Sequence, residues 1–151
     1  MSNVTIENCV IRGNSSDGIQ MNANGTSITN VNVVNCMICY NYYAGIATQT
    51  SNGGTISTGT IIGNAVYQNG YYGVSLGNLA TTNFTIGGGG ANGTNSNNFA
   101  GNGVHSGVLP YPNTTQTNTS GYVVGNDIVL GTDETPVGAG NVVMWNSYFT
   151  P

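Results

Sequence analysis

A pattern of apolar residues, asparagine and glycine recurs three times in the first half of the chain. Its copies occupy residues 6–19, 33–46 and 61–74, and the first reads Ile-Glu-Asn-Cys-Val-Ile-Arg-Gly-Asn-Ser-Ser-Asp-Gly-Ile. The second copy starts 27 residues after the first and the third another 28 residues on, with no gap inside the copies. Repeats of about 20 to 50 residues are typical of stacked architectures, because one repeat cannot bury its own apolar face. The spacing therefore predicts a chain that stacks repeat upon repeat.

Short alternations of apolar and polar residues within each copy favour strands and turns over helices. A repeat of this length made of strands fits one coil of a parallel β-solenoid, in which successive coils lie about 4.8 Å apart. Three apolar columns are then expected in the core. They are Ile6–Val33–Ile61, Ile11–Ile38–Val66 and Ile19–Ile46–Val74.

Asparagine recurs at two positions of the repeat, where stacked side-chain amides can both donate and accept hydrogen bonds. One predicted column holds Asn14, Asn41, Asn69 and Asn102. The other holds Cys9, Cys36, Asn64, Asn97 and Asn126. A third column, of glycine, predicts a turn with positive φ at Gly18, Gly45 and Gly73.

The three cysteines are too few and too unevenly spaced for a disulfide framework. Cys36 and Cys39 have the CxxC spacing of some metal and redox sites, but strand geometry turns Cys36 inward and Cys39 outward, so the two thiols cannot share a metal. Cys9 and Cys36 are vertical neighbours with Cβ atoms slightly too far apart for an unstrained disulfide. Free thiols are therefore predicted, with no metal site and no cofactor.

These blocks resemble the repeats of right-handed parallel β-helix proteins, the pectin-lyase-like superfamily, in its surface-protein or viral-fibre type. Residues 86–88, 97–102 and 125–133 are similar to the IGG…GN…IGT segments of its surface-protein members. The resemblance covers nearly the whole chain and is closest over residues 3–76. It implies an all-β, right-handed parallel β-helix (solenoid) of about five to six coils. Because this scaffold carries lyases, hydrolases, adhesins, tailspikes and spacers, the resemblance implies no particular activity.

We predict a single β-helix domain over residues 1–151, which could belong to a longer helix. Turn-rich composition predicts protruding loops near residues 79–96 and 110–120. Ile128 and Leu130 are assigned to a fifth coil, and Val143 and Tyr148 to a sixth.

Charge and the length of apolar runs exclude two classes of partner. Arg12 is the only lysine or arginine in the chain, and the net charge is −4. A nucleic-acid partner is excluded, because binding requires several cations to displace phosphate counterions. No apolar run approaches the roughly 18 residues of a membrane span, so no membrane insertion is predicted. No signal peptide is recognisable in the sequence as given.

Catalytic groups are sparse. Superfamily members that cleave polysaccharide use clustered acids, some with calcium and a basic residue. The five acids here fall into two separate groups: Glu7 and Asp17, and Asp127, Asp133 and Glu134. The chain has no lysine, and its one histidine, His105, lies in a glycine-rich turn. We therefore expect a protein without enzymatic activity, with a polysaccharide lyase or hydrolase as the alternative.

Two candidate surfaces remain. Tyr43 aligns with Tyr71 one coil away, and Tyr42 and Tyr72 lie beside them. Outward tyrosines form a flat amphipathic strip suited to sugar rings or a protein partner, but they can equally be a ladder that covers a corner of the helix. The second surface is the ends of the stack, where no capping helix is found. Open ends would pair with other copies, unless the chain belongs to a longer helix.

The leading hypothesis is a non-enzymatic structural subunit of an extracellular, cell-surface or virion assembly, such as a filament, fibre or appendage. It would self-associate through its open ends into a homo-oligomer or polymer. The alternative is a carbohydrate-binding or polysaccharide-cleaving module of a larger surface protein. A spacer stalk without a ligand is the third hypothesis.

Overall fold

The computed structural model describes residues 1–76, 81–86, 97–100, 102, 128–130, 142–144 and 148–150. Every regular element within those residues is a β-strand, and no helix among them is long and apolar enough to cross a membrane. Burial follows the period of two that the sequence predicts: residues of the strand Ile19–Asn24 are alternately buried and exposed along its whole length. The all-β prediction is confirmed for these residues.

The strands recur in threes, and the middle strand of each three is always three residues long where it is described. In chain order they are β1 Ser2–Glu7, β2 Val10–Arg12, β3 Ile19–Asn24, β4 Ser27–Val34, β5 Met37–Cys39, β6 Ala44–Ser51, β7 Thr55–Ile62, β8 Ala65–Tyr67, β9 Tyr72–Leu76, β10 Thr81–Ile86, β11 Asn98–Ala100, β12 Ile128–Leu130, β13 Val142–Met144 and β14 Tyr148–Thr150.

Each strand pairs in parallel with the strand three places later. The first sheet is β1-β4-β7-β10-β13, the second is β2-β5-β8-β11-β14 and the third is β3-β6-β9-β12. Three successive strands therefore form one unit: β1–β3 are the first, β4–β6 the second, β7–β9 the third and β10–β12 the fourth, while β13 and β14 begin the fifth. All eleven pairings among the described strands are parallel, which is consistent with a parallel β-solenoid.

The three apolar columns lie in the core at the register that the sequence predicts. They are Ile6–Val33–Ile61 in the first sheet, Ile11–Ile38–Val66 in the second and Ile19–Ile46–Val74 in the third. Their members in the second and third units are all 0% exposed. Burying one such side chain contributes about 1.5–3 kcal/mol, so these columns are a main source of stability.

Left-handed backbone recurs at equivalent positions of successive units and accounts for part of the asparagine and glycine content. Between the first and second strands of a unit the residues with positive φ are Asn8 (54°), Asn35 (51°) and Gly63 (67°). Between the second and third strands they are Gly13 (70°), Tyr40 (55°) and Gln68 (49°). Within the first strand they are Asn3 (56°), Asn30 (54°) and Thr58 (56°). Asn and Gly adopt this conformation at lower cost than other residues, especially β-branched ones.

Two predicted assignments are wrong. Thr81–Ile86, placed in the loop at 79–96, forms β10 and pairs with β7. Its alternate residues Phe84 and Ile86 are buried, and the Phe84 ring fills the space that Gly59 leaves in the core. The neighbouring glycine run obscured this alternation in the sequence. The rest of that loop and the predicted loop at 110–120 lie outside the described residues.

The unit count after residue 100 is also corrected. Ile128–Leu130 pairs with β9, which places it in the fourth unit instead of a fifth coil. Strands β13 and β14 then belong to the fifth unit instead of a sixth. The repeat pattern is interrupted between residues 103 and 127, and for this reason counting by the repeat fails there.

Candidate functional site

Asn14, Asn41, Asn69 and Asn102 form one internal ladder of side-chain amides. Nδ2 of Asn14 donates to Oδ1 of Asn41 at 2.8 Å, and the next two steps measure 2.9 Å each. Each accepting Oδ1 also takes the main-chain N–H of the asparagine in the preceding unit, at 3.1–3.2 Å. Asn41 and Asn69 are buried. All three steps have one direction, with donors on the earlier unit and the acceptor on the later one.

A second ladder runs through Cys36, Asn64 and Asn97. Oδ1 of Asn64 accepts the Cys36 N–H at 2.8 Å, and Oδ1 of Asn97 accepts both the N–H and Nδ2 of Asn64, at 2.9 and 3.0 Å. The Cys36 thiol donates to the Val34 carbonyl at 3.3 Å, and burial raises its pKa. Cys9, which precedes Cys36 in this column, is exposed, and all three cysteines are free thiols.

One predicted member of that ladder has no described position. Asn126 lies outside the described residues.

The glycine column has a different role from the predicted one. Gly18, Gly45 and Gly73 are not among the residues with positive φ. Glycine is required there because there is no room for a side chain. A Cβ on Gly18 would lie 2.6 Å from the Gly45 oxygen and 2.7 Å from Nδ2 of Asn41. On Gly45 it would lie 2.9 Å from Nδ2 of Asn69. The glycines thus leave room for the ladder amide of the following unit.

Cys39 was predicted to face outward, and the structure shows it buried. It is 1% exposed but does not belong to the apolar core cluster that contains Cys36. In the register of the second sheet it lies between Arg12 and Tyr67, two long side chains that can cover a thiol. A hydrogen bond with the Cys39 thiol is the main cause that raises the pKa of the Tyr67 phenol. Tyr67, one unit later, therefore contacts the Cys39 thiol.

The tyrosine cluster, defined as Tyr42, Tyr43, Tyr71 and Tyr72, is brought together at the corner before the third strand of the second and third units. The Tyr43 and Tyr71 rings are stacked, with centroids 5.4 Å apart and planes at 30°. Tyr42 packs edge-on to Tyr43 at 4.9 Å, and the Tyr71 and Tyr72 rings lie 6.4 Å apart. Tyr42 and Tyr43 are each 47% exposed. The cluster presents aromatic surface to solvent, and its stacked pair, Tyr43 and Tyr71, joins two successive units.

The first unit continues this corner with small polar residues. The Tyr71 N–H bonds the Tyr43 carbonyl at 2.9 Å, and the Tyr43 N–H bonds the Ser16 carbonyl at 3.2 Å, so the three residues follow one another up the stack. Beside Ser16, Oδ1 of Asp17 accepts the Ala44 N–H at 2.9 Å. Asp17 therefore has a structural role in joining the first and second units.

Charged and metal-ligating groups are dispersed in the part of the chain that the structure describes. Glu7 is an exposed residue of β1, and Asp17 lies in the corner before β3. No three His, Cys, Asp or Glu side chains among the described residues lie close enough together to hold a metal ion. The other three acids and His105 lie outside those residues.

The outer side of the first unit, which we call the open edge, consists of β1, β2 and β3, each at the end of its sheet. Val4, Ile6 and Ile11 are only partly buried there, although their register partners in the second unit are fully buried. Within the described residues, no donor reaches Oδ1 of Asn14, which occupies the ladder position that accepts two hydrogen bonds in each later unit. An exposed row of backbone groups of this kind is a template for pairing with another strand.

The structure also contains exterior amide pairs that were not predicted from the sequence. Nδ2 of Asn30 donates to Oδ1 of Asn3 at 2.7 Å, and Nδ2 of Asn52 donates to Oδ1 of Asn24 at 2.7 Å. Their spacings of 27 and 28 residues match the repeat. That spacing was the signal that could have found them.

Comparisons with protein-family models, curated proteins and solved structures find no match. The tyrosine cluster and the open edge are therefore the observations from which function is argued.

Proposed function

We propose that this protein is a non-enzymatic structural subunit of an extracellular, cell-surface or virion assembly, such as a filament or fibre. Copies associate end to end through their open sheet edges. The fold proposed with it is a right-handed parallel β-helix of the pectin-lyase-like type. Right-handed crossovers are the rule for connections between parallel strands, and this supports the handedness.

The open edge is the observation that carries the proposal. Among the described residues, the three strands there have a neighbour on one side only, and Val4, Ile6 and Ile11 are left partly exposed. Apolar area removed from water contributes about 25 cal/mol per Å², and each backbone hydrogen bond formed adds about 1 kcal/mol. A net charge of −4 over 151 residues opposes association only weakly. Pairing with a further parallel unit would bury the partly exposed apolar side chains and form hydrogen bonds with the backbone groups of the open edge.

Sedimentation velocity and electron microscopy at rising protein concentration test this proposal. Concentration-dependent oligomers or filaments are expected. Ile6→Lys should abolish them because it places a charge on the open edge, whereas Gln49→Lys, on a central strand of the third sheet, should leave them intact. Thermal unfolding of each variant establishes that it is folded. A wild-type protein that remains a monomer at all concentrations would refute the proposal.

A carbohydrate-binding or polysaccharide-cleaving module of a larger surface protein is the second candidate. The stacked Tyr43 and Tyr71 rings favour it, because aromatic faces of partly exposed tyrosines pack well against sugar rings. Binding to a glycan array should be lost in Tyr43→Ala and Tyr71→Ala. Tyr40→Ala is the matched control, since Tyr40 is 55% exposed and pairs with Tyr67 outside the cluster. Release of soluble oligosaccharides from bound glycans would extend the function to cleavage.

A further inference from the structure

We infer that copies of this chain meet head to tail, with β13 of one copy pairing in parallel with β1 of the next, and β14 with β2. The inference rests on the proposed function, because it presumes that the open edge pairs with another copy. It adds the polarity of the contact and the residues that meet.

Sheet order supplies the first argument. Strands β1 and β13 are the two ends of the first sheet, and β2 and β14 are the two ends of the second, with every intervening pairing parallel. A copy added head to tail therefore continues both sheets in the same strand direction. Among the described strands the third sheet ends one unit earlier, at β12, so the proposed contact is formed by the first and second sheets.

The register supplies the second argument. Cα partners can be followed from strand to strand through the first and second sheets. Each such column begins at an open-edge residue and ends at a residue of the fifth unit. The resulting pairs of column ends are Val4 with Val142, Ile6 with Met144, and Ile11 with Phe149. All six residues are apolar. Stacked head to tail in this register, two copies extend three apolar columns without placing a polar residue in any of them.

Heterotypic crosslinking tests the polarity. Thr5 and Val143 are the two ends of one further column, which runs through Asn32, Thr60 and Thr85. Neighbouring strands lie about 4.8 Å apart, within reach of a short thiol crosslinker such as dibromobimane. The single variants Thr5→Cys and Val143→Cys are made in a Cys9→Ser background, which removes the exposed native thiol. Ser57→Cys, on a central strand of the first sheet, is the control.

Covalent dimers are expected when the Thr5→Cys and Val143→Cys proteins are mixed, with neither alone exceeding the Ser57→Cys background. Dimers from Thr5→Cys alone would overturn the polarity while leaving end-to-end assembly in place. Assembly seen by sedimentation without a crosslink in the mixture would overturn the register. If sedimentation shows only monomers, the proposed function fails and this inference fails with it.

Discussion

Replacing Asn69 with alanine should destabilise the protein far more than the same change at Asn14. The Asn69 side chain accepts hydrogen bonds from the N–H and Nδ2 of Asn41, at 3.2 and 2.9 Å. It donates to Oδ1 of Asn102 at 2.9 Å and to the Ile38 carbonyl at 3.2 Å. Because Asn69 is 0% exposed, water cannot replace these partners without opening the core. Asn14 is exposed, and its side chain donates one ladder bond.

The magnitude follows from the number of bonds. An internal hydrogen bond contributes about 0.5–1.5 kcal/mol net, so losing four costs about 2–6 kcal/mol. The cavity left by the missing amide adds to this cost. The single bond of Asn14 corresponds to about 0.5–1.5 kcal/mol, nearer the low end because the site is solvated. Against a typical stability of about 5–15 kcal/mol, the Asn69 change removes a large fraction.

Urea unfolding followed by circular dichroism measures both free energies of unfolding, and an unchanged m-value shows that the unfolding transition remains comparable. Asn69→Ala should lower the free energy of unfolding by several kcal/mol more than Asn14→Ala. Equal losses in the two variants, or a loss at Asn69 below about 1 kcal/mol, would refute the claim that the buried ladder holds the units together.

Three further outcomes are expected. Gly45→Ala should lower the melting temperature more than Gly13→Ala, because its Cβ would lie 2.7 Å from a carbonyl oxygen, whereas a Cβ at Gly13 meets nothing within 4 Å and carries only the cost of a φ of 70°; equal losses would contradict this. Thr58→Asn should raise the free energy of unfolding by up to about 1 kcal/mol, since Asn accepts the φ of 56° better than a β-branched residue does and its Oδ1 can replace Thr58 Oγ1 as acceptor of the Asn30 N–H; no gain in urea unfolding would contradict it. Burial raises the pKa of the Cys36 thiol in the folded protein above its ordinary value of 9.0. The stability that the buried, protonated thiol contributes is therefore fully present below pH 9.0 and is lost as the pH rises through the pKa of the folded state. Urea midpoints of wild type should therefore fall more steeply at alkaline pH than those of Cys36→Ala, and parallel curves would contradict this.

The register of the first three units was predictable because each repeat has the same spacing between its inward residues. A shift of one residue would turn an entire strand inside out, so a pattern such as Ile11, Ile38 and Val66 specifies the pairing strongly. The asparagine columns followed from the same spacing. Beyond residue 100 the spacing is interrupted, and the place of β12 in the fourth unit depends on strand pairing that no local pattern indicates.

The remaining differences come from packing between units. A glycine can be required either for a positive φ or for close packing, and the sequence does not distinguish the two reasons. At Gly45 the reason is close packing against the side-chain amide of Asn69. Cys39 is buried although it lies outside the apolar core cluster, and its thiol interacts with Tyr67, which follows it by one repeat. Similarly, the stacking of Tyr43 on Tyr71 depends on ring rotamers, whereas the sequence predicted only that the two align.

The central claim is that successive units stack in parallel register around shared apolar columns. Nuclear Overhauser contacts between the methyl groups of Ile11, Ile38 and Val66, in protein with selectively labelled methyls, test it most directly. Contacts from Ile38 to both Ile11 and Val66 are expected, with none between Ile11 and Val66, which lie two units apart. Contacts that pair Ile38 with residues from an antiparallel register, or no contact between Ile38 and either neighbour, would contradict the account.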